Sequence, residues 1–253
     1  MRLVPPETIL VVFLLFCRIG GCLMLMPGFS SSRVPVQVRL FMAVAVTLAL
    51  TPLLLPTVNT AVPVPDLAAP KVMLLIFSET LIGVLIGLIG RLFYMALQFM
   101  ATAAAQLAGF NPVGGAPVED VEPVPILAAF ITLTATVLLF VTDQHWEVLR
   151  ALLASYAVLP ITEPVAADFG LAKVADAFSS TFILALQISS PFVVYALIIN
   201  LMVGLANKLV PQIPVYFISV PFVLAGGLLL LYLTIGEALR LFIAAFTGWL
   251  TTG

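Results

Sequence analysis

Long apolar runs dominate the chain, and its few polar positions mark where each run ends. The first run, residues 8–26, predicts a helix with Arg18 inside it. Pro27 closes it, because proline disfavours helix in the residue before it. Residues 28–39 read as a loop carrying Ser30, Ser31 and Ser32 and the cations Arg33 and Arg39. A second helix is expected over 36–55, limited by Pro52 and Pro56, and then a proline-spaced, extended segment over 57–70. A third helix, 71–108, exceeds one perpendicular span of about 20 residues. Glu79 and Arg91 lie 12 residues apart on it. Gly83, Gly87 and Gly90 give it a small-residue face, including a G-x-x-x-G that lets another helix approach closely.

A fourth helix is expected over 124–141, with Asp143 as a cap for the next helix. Trp146, Leu149, Leu153 and Tyr156 then recur at helical spacing. They predict a short amphipathic helix at a water boundary, ended by Pro160 and Pro164. Residues 177–207 hold no charge over 31 positions, with Pro191 inside. Residues 209–236 hold none over 28, with Pro211, Pro214 and Pro221 near the start. Only Lys208 separates these two segments, so they read as a helical hairpin. No repeat relates the two halves, which weighs against an inverted-repeat transporter.

Composition narrows the class. Of 253 residues, 62% are apolar and 9% charged, against about 25% charged in a soluble domain. So few charges cannot clothe a water-facing surface, which excludes an ordinary soluble enzyme and a disordered chain. A net charge of -2 without a basic patch excludes a nucleic-acid binder. A polytopic helical membrane protein remains, since lipid tolerates only helices or closed barrels and these runs are too continuous for a barrel. The 19 prolines exceed the roughly 5% average, and many lie in or beside apolar runs. With six spans and the N-terminus inside, Arg2, Lys71, Arg150, Lys173 and Arg240 face the cytoplasm, and Arg33, Arg39 and Lys208 face out, a small positive-inside excess.

Candidate chemistry is sparse. Cys17 and Cys22 read as membrane-buried thiols, and a single histidine leaves no Cys/His metal set. The Ile19–Cys22 stretch has the look of a lipoprotein box, but Arg18 interrupts the apolar core such a signal needs, so a retained helix is expected. Asp143 and His145 admit two readings, a proton relay or an interfacial polar helix start. Arg18, Glu79 and Arg91 are charges within apolar segments, either structural ion pairs and subunit contacts or the lining of a substrate path. The stretch from Gly109 to Pro117 (Gly109, Phe110, Asn111, Pro112, Val113, Gly114, Gly115, Ala116, Pro117) is too rich in Gly and Pro for helix yet uncharged. Irregular backbone of that kind survives at membrane depth only against protein or along a cavity.

In these same positions the chain resembles the FliR family of flagellar biosynthetic proteins and its injectisome relatives, over nearly its whole length. The likeness rests on Arg18-Ile19-Gly20, Met26-Pro27, Val34-Pro35-Val36 and Arg39. It continues with Glu79, Gly83 and Gly87, then with Asp143-Gln144-His145, Ser155 and Pro160. It is most specific in Pro191, Asn200, Gly204, Asn207-Lys208, Pro211-Gln212, Val215 and Phe217. The chain departs from the family in lacking a Met in Gln106 to Pro112 and in placing Pro214 where Asn is common.

The resemblance implies an all-α integral membrane protein. About six long, proline-bent helices would pack in hairpins into a hetero-oligomeric export gate raised largely from the bilayer plane. It implies a FliP-like part, 1–173, and a FliQ-like hairpin, 174–253. The partners implied are FliP, FliQ and FlhB, the exported unfolded proteins and membrane lipids, in the bacterial inner membrane at the base of the flagellum. No catalytic residue, cofactor or metal is implied. Residues 109–117 would form a pore plug, with Phe110 and Val113 occluding and Gly109, Gly114 and Gly115 as hinges. A loop buried against a partner is the alternative for this segment. A secondary transporter using Arg18, Glu79 and Arg91 is the rival function, and a bare assembly scaffold a third.

Overall fold

The structure is a computed structural model, and it describes residues 6–31, 34–59, 69–110, 125–161 and 167–252. These form seven helices: α1 (Pro6–Leu25), α2 (Val36–Asn59), α3 (Ala69–Leu107), α4 (Ile126–Val141), α5 (Gln144–Val158), α6 (Ala167–Leu209) and α7 (Val215–Thr252). Five are long and apolar enough to cross a membrane. A sixth span arises if α4 and α5, bent by 67°, count as one. The all-α membrane class expected from composition is the one observed.

Two expected boundaries give way. Pro52 and Pro56 do not end α2; they sit inside it, exposed on its outer face. An apolar surrounding offers no water to backbone groups, so a helix that loses single N–H donors still beats an open chain. Pro191 is likewise interior to α6. The Gln187 carbonyl is the one a residue-191 amide would have bonded, and it accepts from the Ser190 hydroxyl at 2.9 Å. The hairpin turn is the five residues 210–214 rather than Lys208 alone, so Pro211 and Pro214 lie in the turn and Pro221 inside α7. Lys208 lies in the last turn of α6, beside the negative end of its dipole.

The chain forms two compact units. The first comprises Met1–Leu92, Thr142–Phe178 and Thr247–Gly253. Its core is a stripe along α1 (Val11, Leu15, Ile19, Leu23) packed on Leu50, Leu54 and Val58 of α2, with Leu75, Tyr156 and Ile161. Those α1 positions follow the i, i+4 spacing of one helical face, and Arg18 falls on that buried face.

The second unit comprises Phe93–Val141 and Ser179–Phe246. Here α3 buries Leu97, Ala101, Ala104, Ala105 and Ala108, a face of small residues that admits α7 closely. A Cβ added to Gly227 would lie 2.6 Å from the Ala108 carbonyl oxygen. Phe93 meets Phe246 edge-on at 6.1 Å, and Phe246 stacks on Phe242.

Candidate functional site

The site lies in the first unit, where α1 crosses α3. A Cβ on Gly83 would overlap the Arg18 carbonyl, and one on Gly87 would lie 2.6 Å from the Cys22 carbonyl oxygen. The Gly83/Gly87 pair is thus the close-approach face the spacing suggested, used within the chain. That approach lays α1 against the turn of α3 carrying Glu79, four residues before Gly83, and so sets Arg18 opposite Glu79.

The guanidinium donates from Nε to Glu79 Oε2 and from Nη2 to Glu79 Oε1, each at 2.7 Å. Nη2 also donates to the Leu159 carbonyl at 2.9 Å, and Nη1 to Ser155 Oγ at 3.2 Å. Ser155 is oriented by its own bond to the Leu152 carbonyl. The Tyr156 ring covers the guanidinium, its centroid 4.0 Å from Cζ. Arg18 and Glu79 are both 0% exposed. A bidentate, stacked and capped arginine is the geometry under which a buried charge is compensated. It ties α1, α3, α5 and the chain after α5 to one point.

Of the three charges proposed for the apolar segments, the structure brings two together. Arg91 is exposed and has no ion pair among the described residues. At about 100° per residue, 12 residues place it roughly 120° around α3 from Glu79. Tyr156 corrects the boundary-helix expectation: it is buried with Val148 and Leu152, and Trp146 is the exposed aromatic of α5. Ser155, Tyr156 and the Leu159 carbonyl complete the site. Spacing alone gave no signal for them, because a turn of α5 facing an arginine looks like any half-buried turn.

Asp143 also departs from expectation. It makes no side-chain cap and takes a left-handed conformation, φ 57°. Its carbonyl accepts from the Trp146 amide, so Asp143 forms the α4–α5 corner through its backbone. Gln144 accepts from Thr247 at 2.6 Å and donates to the Thr142 carbonyl. The half-buried His145 ring lies 6.0 Å from that of Trp146.

At the end of α3, the Phe110 amide bonds the Ala105 carbonyl and the Gly109 amide that of Gln106. With Gly109 at φ 90°, this is a Schellman cap. Phe110 packs with Ala104, Ala108 and Phe192. The remaining plug candidates, Asn111, Val113, Gly114 and Gly115, lie outside the described residues. Asn200 and Gly204 are exposed on α6, and Pro211 and Gln212 are exposed in the hairpin turn. Among the described residues no His/Cys/Asp/Glu group could hold a metal ion.

Helices of crossing length and apolar character, with a buried Arg18–Glu79 pair in the first unit, define an integral membrane protein. The sequence pattern of the bacterial export proteins, family 1, matches residues 9–249, and the chain belongs to that family. It is 29% identical to the flagellar biosynthetic protein FliR of Caulobacter vibrioides over 231 residues, 89% of this chain and 88% of the relative. It is 29% identical to the FliR of Escherichia coli over 81% of this chain and 76% of the relative. The FliR of Aquifex aeolicus is 24% identical over 92% of this chain and 88% of the relative.

Proposed function

We propose that this chain is a structural subunit of the flagellar type III export gate. In this reading it completes, with FliP and FliQ, a closed helical assembly around the export channel in the bacterial inner membrane, embraced by FlhB. Residues 1–173 take the FliP-like place and 174–253 the FliQ-like place. The loop 109–117 acts as the plug, rooted at the Schellman cap of α3, and unfolded flagellar proteins pass once it moves.

One observation carries the reading. The apolar stretch of α7, Val215–Thr251, spans 37 residues, yet only 6% of its most apolar window is buried within the chain. At about 1.5 Å per residue it is roughly 55 Å long, against a hydrocarbon layer of about 30 Å. In this reading the exposed apolar side chains of α7, which run from Tyr216 to Leu241, are the surface that the neighbouring subunits cover. A secondary transporter would hold its charges open to substrate. Arg18 and Glu79 instead are buried and bonded to each other, with Arg18 bonded also to Ser155 of α5 and to the Leu159 carbonyl just beyond it.

The test is co-expression with FliP and FliQ. A stable ternary complex is expected, and a chain that purifies alone and transports a solute in liposomes would overturn the reading. Deleting 109–115 should leave complex yield unchanged and make membranes permeable to small solutes. Unchanged permeability would remove the plug from it.

A further inference from the structure

The first unit contains a cavity of about 470 Å³ between α3, α5, the start of α6 and the end of α7. Its walls are mostly apolar, with Ile82, Ile86 and Ile89 of α3 and Ala154 and Val158 of α5, and Ser155 and Thr251 are its uncharged polar side chains. Among the described residues lining it, Lys173 is the only ionisable one, and Trp249 stands at the same cavity. We propose that this cavity is the seat of one anionic phospholipid, an acyl chain between α3 and α5 and the headgroup phosphate on Lys173.

The walls decide the tail. A mostly apolar cavity holds water poorly along its aliphatic walls, and leaving them bare forfeits the dispersion contacts of its lining. The filler must therefore be apolar along most of its length. Lys173 decides the head. It lies three residues after Gly170, where the apolar span of α6 begins, and Trp249 lies two residues before Thr251, where that of α7 ends. A lysine and a tryptophan at span ends are the side chains that settle at headgroup level. An ammonium has three donors, so it can hold a phosphate oxygen beside another partner. Basic pockets between membrane helices bind acidic headgroups by this combination.

The seat is also placed to matter for the buried charge pair. Ser155 and Leu159 line the cavity with one side of their turn and hold Arg18 with the other. A bound chain would close the outer side of that turn and keep water from the guanidinium. The inference concerns the first unit alone and does not depend on the gate reading.

The test uses the full chain in its native assembly, reconstituted in nanodiscs of equal phosphatidylglycerol and phosphatidylcholine. Retained lipid is counted by native mass spectrometry after mild detergent release. The wild type should retain phosphatidylglycerol over phosphatidylcholine by about fivefold, the preference one lysine near an anionic surface accounts for. Lys173→Gln should abolish the preference and Lys173→Arg keep it. No retained phospholipid, equal retention of the two lipids by the wild type, or a preference that survives Lys173→Gln would overturn the proposal. A photoreactive group at Ile86 should cross-link to lipid, and cross-linking to a protein segment instead would also overturn it.

Discussion

Gly83 of α3 lies so close to the carbonyl of Arg18 on α1 that a methyl group could not be added there without moving backbone. Overpacking in a close contact typically costs about 1–3 kcal/mol, and a backbone neighbour cannot swing aside as a side chain can. Gly83→Ala should therefore lower the chain's accumulation and its melting temperature sharply. Gly204 has nothing within 4 Å of an added Cβ, so Gly204→Ala should leave the isolated chain's melting point unchanged or slightly higher. Equal melting points for the two variants would contradict the close α1–α3 crossing.

The Arg18–Glu79 pair calls for a double-mutant cycle. Removing one partner of a buried ion pair leaves an uncompensated charge and typically costs about 3–5 kcal/mol. Arg18→Met and Glu79→Leu should each destabilise by amounts of that order, read by denaturation in detergent. Arg18→Met combined with Glu79→Leu should recover most of the loss, because no charge is then left unpaired. Simple additivity of the two single losses would show that the residues act independently.

Gly109 sustains a φ that other L-residues adopt only under strain of roughly 1–2 kcal/mol. A Cβ there would also press on Val223 Cγ1 at 3.3 Å. Gly109→Val should fray the end of α3, seen as faster hydrogen exchange at the Phe110 amide. Gly109→Asn should be milder, since asparagine tolerates this conformation. Unaltered exchange at Phe110 in the valine variant would mean that the cap does not depend on glycine.

In the second unit, the Tyr195 hydroxyl donates to the Val223 carbonyl at 2.7 Å. A Cβ on Gly226 would lie 2.6 Å from that hydroxyl. Gly226→Ala should therefore be destabilising in the wild type and markedly less so in a Tyr195→Phe background. An equal penalty in both backgrounds would place the conflict elsewhere.

Much of this architecture was legible in the chain. The long apolar runs foretold the helices, and the limits of α3 fell within two residues of expectation. Arg18 and Glu79 could be named as charges needing partners, and Gly83 and Gly87 as a close-approach face. What could not be read was the third dimension of that need. Arg91 is as charged and as apolar in its neighbours as Glu79, and only its bearing around α3 separates them. Pro52 and Pro56 misled because the rule that proline ends helices assumes water to take up the freed groups. Asp143 misled because its residue type suits both a cap and a left-handed corner, and the corner prevailed where α4 and α5 turn by 67°.

The uncovered length of α7 has a cellular consequence. On the gate reading, a subunit whose last apolar helix is completed by its neighbours resembles an unfinished one to quality control whenever it is made in excess. Membrane proteases triage such exposed chains continuously, and a chain stabilised only by association owes its persistence to the concentration of whatever binds it. Its lifetime in the cell should therefore be set by supply of the other subunits, so that the scarcest of them governs how many complete assemblies a membrane can hold.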